Sequence, residues 1–230
     1  DTQDVHRLAA RDRPVFAALM LAHGHADGMV TGATRKSAHV LELINHVFDA
    51  QPHDGAVGVT AVLHKGRIVL ITDTLVHEWP DAADLANIAE SGARVARHLG
   101  LEPRVAFVSF STFGYPVSER AEKMHLAPNV LDERGVDFEY EGEMTVDVAL
   151  NVAIQKTYPF SRLTGPANIL VVPARHSASI SVKLMQEMAD ATVIGPILTG
   201  LDQSIQIASS TSTTNDILNM AILAACKVGG

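Results

Sequence analysis

The stretch Asp81-Ala-Ala-Asp-Leu-Ala-Asn-Ile-Ala-Glu-Ser-Gly-Ala-Arg-Val-Ala-Arg-His-Leu-Gly100, followed after a short connection by Val105-Ala-Phe-Val-Ser109, decides the fold class. Leu85, Ile88, Ala89, Gly92, Val95, Ala96 and Leu99 recur at helical period, Asp81 stands where an N-cap belongs, and Gly100 closes the segment. Val105–Ser109 lacks polar alternation and reads as a continuous apolar run of strand length, as a strand covered on both faces does. A capped amphipathic helix feeding such a strand is the repeating unit of an α/β protein with a mostly parallel sheet.

Upstream, Val57–Leu63 and Ile68–Ile71 are β-rich runs separated by His64-Lys-Gly-Arg67, a hairpin signal. Asp4–His23 carries Val5, Leu8, Val15, Phe16, Leu19 and Met20 at spacings of three, four and seven, an apolar helical stripe that Pro14 bends or divides. Asp27–Thr34 reads as a short strand opening into a glycine-containing turn, then a helix with Val40, Leu41, Ile44, Val47 and Phe48 facing inward. Downstream, Ser118–Arg134 reads as helix despite Pro128, and Gly135 ends it. Strands at Val136–Tyr140, Asn168–Val172, Thr192–Leu198 and Ile205–Ala208 alternate with helices at Ser177–Met188 and Asn215–Lys227.

Composition narrows the function classes. The 230 residues, 47% hydrophobic and 19% charged, supply a large core and argue against disorder. A formal net charge of -8 lacks the basic excess that a phosphate backbone requires, so nucleic acid is not an expected partner, whereas a few local donors still suit a nucleotide-like anion. Cys226 is the single cysteine, which excludes an internal disulfide and points to a reducing, cytoplasmic setting. No apolar run reaches the roughly 18 residues of a spanning helix, so no membrane partner is expected. The chain opens on Asp1 and reads as a piece of something longer.

Two loops offer phosphate-binding chemistry. Ser209-Ser-Thr-Ser-Thr-Thr214 leads into a helix, offering hydroxyls, backbone donors and a favourable dipole, although N-capping by Thr213 or Thr214 is the simpler reading on composition alone. Asp216 either complements that dipole or faces a cleft as a general base. In Gly24-His-Ala-Asp-Gly-Met-Val-Thr-Gly-Ala-Thr-Arg35, glycines let the backbone approach a ligand and Arg35 offers a fork to an anion. His23-Gly-His25 with Asp27 has metal-like spacing, but a solvent-facing loop explains it better, and no metal is expected. No dinucleotide fingerprint, P-loop or nucleophile elbow occurs, so no cofactor is expected within this stretch.

Several segments in order resemble the phosphate acetyl/butyryl transferase family: His25-Ala-Asp-Gly-Met-Val-Thr-Gly-Ala-Thr34, Asp73-Thr74, Glu102-Pro-Arg-Val-Ala106, Ser109-Phe-Ser-Thr-Phe-Gly114, Gly142-Glu-Met-Thr-Val-Asp147, Leu163-Thr-Gly-Pro-Ala-Asn-Ile169 and Ile194-Gly-Pro-Ile-Leu-Thr-Gly200. Tyr158-Pro-Phe-Ser-Arg-Leu-Thr-Gly-Pro-Ala-Asn168 with His176-Ser-Ala-Ser-Ile-Ser181 looks like the C-terminal version fused behind a malic enzyme. The resemblance implies a three-layer α/β/α, two-lobed architecture similar to isocitrate dehydrogenase. Its first lobe, residues 1–45 and 196–230, would be incomplete by on the order of one hundred residues, and its second lobe would span 46–195.

The same resemblance implies that active relatives join the CoA thiol to the acetyl group of acetyl phosphate, an aspartate taking the thiol proton and a Ser-Arg pair holding the phosphoryl end. It puts Asp216 at the base position, Ser209 at the serine and Ser210 where the arginine belongs. Pro173-Ala-Arg-His-Ser177 also departs from the family's pattern; Arg175 or His176 faces a CoA phosphate there, or the segment is a solvent-facing turn. A hydroxyl lacks the charge and fork of a guanidinium, so the expected function is an acetyl-CoA-binding regulatory and oligomerisation domain. Its partner would be an upstream malic domain that uses NADP and Mg or Mn. The ligand set expected from the resemblance is Gly32, Thr34, Arg35, Arg162, Lys183, Ser209 and Asp216. The alternative is a working phosphate acetyltransferase whose cation comes from Arg35, Arg162 or Lys183. Leu184, Met185 and Met188 form a stripe that serves core packing or pairs subunits in a homo-oligomer.

Overall fold

The computed structural model describes residues 11–48 and 55–228. They form two compact units, one holding the described residues up to Gly58 and from Ile194 on, the other Val59–Val193. The first crossing, between Gly58 and Val59, lies inside a strand.

In the first unit, α1 (Arg13–Ala22) begins where proline dictates: Asp12 is extended at φ -114° and Pro14 occupies the first turn, where a missing N–H is harmless. Within the described part of the expected Asp4–His23 helix, the helical run is interrupted at Asp12; Val5 and Leu8 lie outside the described residues. Val15, Ala18 and Leu21 form its buried face, whereas Phe16 and Met20, expected inward, are exposed. Next come β1 (Met29–Gly32) and α2 (Ser37–Asn45), which buries Val40, Leu41 and Ile44.

The second unit opens with β2 (Val57–His64) and β3 (Arg67–Thr72), paired antiparallel from Val59 opposite Thr72 to His64 opposite Arg67. Lys65 and Gly66 turn with φ of 49° and 74°, the two left-handed residues a tight hairpin requires. α3 (Ala82–His98) carries the expected cap: Asp81 accepts from the Asp84 N–H while the Asp84 carboxylate accepts from the Asp81 N–H. Then follow β4 (Arg104–Val108), α4 (Glu119–Arg134), β5 (Glu139–Met144), α5 (Val146–Leu150), α6 (Val152–Gln155), β6 (Ile169–Val171), α7 (Arg175–Ala189) and β7 (Thr192–Thr199). The chain returns to the first unit inside β7 and ends its described part with β8 (Ile205–Ala208) and α8 (Thr214–Ala225).

The large sheet has the order β5-β4-β6-β3-β2-β7, with β5/β4, β4/β6 and β6/β3 parallel. Alternate residues of its strands face two helical layers. Ala106, Val108, Ile71 and Leu170 pack with Val148 and Ala149 of α5 and Ala178 of α7 in one core cluster. On the opposite face α3 approaches so closely that a Cβ on Gly92 would stand 2.9 Å from Ile169 Cγ2. The result is a helix-sheet-helix sandwich, as expected.

Two expectations shift. β5 lies at Glu139–Met144, not Val136–Tyr140, because Glu141 and Glu143 are buried acids whose polarity masks the strand. The α7 stripe is split: Met185 packs against the core, while Leu184 and Met188 are exposed.

Candidate functional site

In the first unit β1 and β8 run parallel, Met29 opposite Ile205 and Gly32 opposite Ala208. Their C-terminal ends therefore lie side by side, and each opens through a turn into a helix start, Ser37 of α2 and Thr214 of α8. In parallel sheets ligands settle beyond the carboxyl ends of strands, and helix N-termini present donors to anions. The close approach depends on Gly32: its φ is +101°, and a Cβ there would lie 2.2 Å from the Ala208 carbonyl oxygen. The Ala33 N–H donates to that oxygen at 2.9 Å and the Thr34 N–H to the Gly32 carbonyl at 2.8 Å. Of the expected ligand set, Gly32 ends β1, Thr34 and Arg35 lie in the turn after it, Ser209 lies in the turn after β8, and Asp216 lies in the first turn of α8.

The hydroxyl loop is largely self-satisfied. Ser209 Oγ accepts from the Thr211 N–H at 3.1 Å, and the Ser209 N–H donates to Ser212 Oγ at 2.9 Å. Asp216 Oδ2 accepts from the Thr213 N–H at 2.7 Å and from Thr213 Oγ1 at 2.8 Å, while the Asp216 N–H donates to Thr213 Oγ1 at 3.2 Å. This reciprocal box realises the N-capping reading. Ser210 is exposed, and residues 209–216 contain no Lys or Arg.

Of the expected cations, Arg35 sits in the β1–α2 turn beside Thr34 and is paired with Asp12, whereas Arg162 and Lys183 lie in the other unit. Arg35 Nη1 donates to Asp12 Oδ2 at 2.5 Å. Arg162 belongs to the second unit, where it pairs with Asp132 at 2.7 Å and Glu141 at 3.5 Å and lies 4.6 Å over the Tyr140 ring. Burial alone would lower the Arg162 guanidinium, but the Glu141 and Asp132 carboxylates outweigh it and hold it above its ordinary value. Burial, with the hydrogen bond to Asp132, pushes the Tyr140 phenol up to about 12. Lys183 is exposed on α7. Arg175 starts α7 and clamps an adjacent loop, donating to the Leu75 carbonyl at 3.1 Å and pairing with Glu78.

Two buried carboxylates at the carboxyl edge of the large sheet received no role from the sequence. Asp73, just past β3, accepts from the backbone N–H groups of Leu75, Val76 and His77 and from His77 Nδ1, the last at 2.7 Å. That hydrogen bond, opposed by burial, raises the His77 imidazole above its ordinary value. Glu143 accepts from Ser111 Oγ and the Gly114 N–H at 2.8 Å each and from His125 Nδ1 at 2.9 Å. Burial would raise its carboxyl, but these donors together hold it below the usual range. For Asp73 the available signal was an acid set directly at the end of the apolar β3 run, where only a buried, hydrogen-bonded role is stable; Glu143, inside the polar β5 strand, carried no such signal.

Comparison with known proteins follows the same outline. The chain is 51% identical over 227 residues to an NADP-dependent malic enzyme of Rhizobium meliloti (strain 1021), covering 99% of this chain and 30% of that protein. It is 33% identical to an NADP-dependent malic enzyme of Escherichia coli (strain K12), covering 97% and 30%. The chain therefore spans about 30% of the length of the malic enzymes it matches. A phosphate acetyltransferase of Bacillus subtilis (strain 168) is 28% identical, with 98% of this chain and 71% of that one covered. Among solved structures, a phosphotransacetylase from Streptococcus pyogenes superposes with a TM-score of 0.88 at 28% identity, covering 95% of this chain and 68% of that one. A 4-hydroxythreonine-4-phosphate dehydrogenase from Klebsiella pneumoniae, TM-score 0.56 at 15% identity over 94% of this chain and 69% of that one, shares the fold alone. The family's sequence model matches residues 1–225, the whole run of strand ends and turns described above, and the chain is a member of the phosphate acetyl/butaryl transferase family.

Proposed function

We propose that this chain is the acetyl-CoA-binding regulatory and oligomerisation part of an NADP-dependent malic enzyme, with acyl-transfer chemistry disabled at Ser210. In this reading the remainder of the polypeptide decarboxylates malate to pyruvate in the cytoplasm, using NADP and Mg or Mn. The share of malic-enzyme length that the chain matches supports the placement. The observation that carries the loss of catalysis is the 209–216 loop, where the Asp216 carboxylate accepts twice from Thr213 and no guanidinium is present. Removing one preorganised electrostatic group from a transferring centre typically costs about 3 kcal/mol, a hundredfold or more in rate. Binding is less demanding, because backbone donors at paired strand ends and a helix start suffice for a phosphate.

Regulation follows only where acetyl-CoA binds two global states unequally. Calorimetric titration of the chain with acetyl-CoA is expected to give saturable heat, and a CoA-dependent acetyl phosphate assay is expected to show no enzyme-like turnover. Ser210→Arg is expected to raise that residual rate. No heat and no thermal shift at millimolar acetyl-CoA would remove the regulatory reading, and wild-type turnover typical of a dedicated transferase would replace it with the catalytic one.

A further inference from the structure

Trp79 is the single tryptophan of the chain and is 83% exposed. Its loop is nonetheless held firmly on both sides. Asp73 gathers the N–H groups of Leu75, Val76 and His77, and the Arg175 N–H donates to the His77 carbonyl at 2.9 Å. The Arg175 side chain donates to the Leu75 carbonyl and pairs with Glu78. Beyond Trp79, Lys123 Nζ donates to the Pro80 carbonyl at 2.9 Å, and Asp81 caps α3. A restrained loop that leaves its largest aromatic face in water forgoes one of the largest burials available to any side chain, which marks that face as a contact surface.

The face borders a cavity of about 590 Å³ within the second unit, lined by Trp79, Glu122, Lys123, Leu126, Pro173 and His176. That volume falls in the small-molecule range. The His176 ring stands 6.4 Å from the indole centroid at 53°, so the two rings form an angled wall rather than a stacked pair. An indole face and an imidazole beside apolar Leu126 and Pro173 suit a flat heteroaromatic ring. Lys123, an ammonium with three donors, suits phosphate, and the Glu122 carboxylate suits an exocyclic amine.

We propose that this cleft stacks the purine ring of a nucleotide against Trp79. The inference goes beyond the acetyl-CoA reading, since it uses neither the 33–36 nor the 209–213 turn. Acetyl-CoA is one carrier of such a ring and a free purine nucleotide is another.

The single tryptophan makes its emission the reporter. The 230-residue chain is titrated with ADP, GDP and acetyl-CoA, and with acetyl phosphate and pantetheine as ligands lacking the ring. Saturable quenching by at least one purine ligand and none by the ring-free pair is expected. By calorimetry Trp79→Ala weakens that ligand roughly 5- to 150-fold, the span of one base stacking contact, and Trp79→Phe retains most of the affinity. Unchanged melting of both variants separates lost binding from lost folding. Absence of saturable quenching by every purine ligand, or equal quenching by the ring-free pair, overturns the inference. Acetyl-CoA heat that leaves the emission unchanged and is insensitive to Trp79→Ala, with ADP and GDP silent, also overturns it while sparing the regulatory reading. Quenching by ADP or GDP with no response of any kind to acetyl-CoA supports it and removes that reading.

Discussion

Gly32→Ala tests whether the side-by-side strand ends are as tightly built as the geometry requires. The new methyl would stand 2.2 Å from the Ala208 carbonyl oxygen, at a backbone φ of +101°. That contact is about 1 Å inside any tolerable carbon-oxygen separation, so β1 must withdraw from β8 by about that much. The Ala33 N–H to Ala208 bond, now 2.9 Å, would then pass out of hydrogen-bonding range. Left-handed strain contributes about 1–2 kcal/mol and the broken, partly desolvated bond about 1–3 kcal/mol, for a total of about 2–5 kcal/mol. Gly24→Ala is the control in the same unit, because Gly24 has a φ of +72° and nothing within 4 Å of the added carbon. It should cost strain alone, about 1–2 kcal/mol, and the unfolded-state gain of adding a methyl cancels between the two variants. Urea denaturation followed by circular dichroism measures both. Equal losses, within about 0.5 kcal/mol, would refute the proposed overlap, since that is the scatter of a neutral surface change.

Thr213→Ala removes the cap hydroxyl that holds Asp216 and is expected to lower stability by about 1 kcal/mol, read as a fall in melting temperature. His77→Gln probes a pH window with a definite sign. The imidazole is raised by the Asp73 hydrogen bond, with Asp84 and Asp81 adding to it, so its contribution is complete below the unfolded value of about 6.5 and fades as pH rises through the higher folded value. Wild type should exceed the variant by about 1–2 kcal/mol at pH 5.5 to 6, and the gap should shrink in alkaline buffer. A gap that widens with pH would contradict the pairing. Glu143→Gln replaces an acceptor of three donors by a group that meets one of them with its own N–H, at an expected loss of about 2–3 kcal/mol near neutrality. Its carboxyl is held low, so the wild-type advantage should persist at neutral pH and fade only as acid protonates the folded form.

Much of the local structure was legible because it depends on near neighbours. The Asp81 cap and the apolar spacing of α3, the hairpin turn at Lys65-Gly66 and the apolar β4 run all appear where period and turn chemistry place them. β5 was misplaced because Glu141 and Glu143 resemble surface acids until their donors are known. Phe16 and Met20 were placed inward because spacing identifies a stripe, not which part of it a neighbour covers. At the candidate site the glycine turn and the hydroxyl loop were visible as motifs, and the two readings of Asp216 could not be separated by composition.

The sequence alone determined the α/β class, the family resemblance, the absence of a guanidinium at Ser210 and the capping chemistry available to the 209–216 loop. Tertiary structure alone decided that β1 lies beside β8, that β6 lies between β4 and β3, and that Arg162 joins Asp132 and Glu141 in the second unit. Strand pairing is made by backbone groups common to nearly every residue, so partners distant in the chain leave little mark in the side-chain pattern. The role of a charge, in turn, is set by which distant donors or acceptors surround it once water is removed.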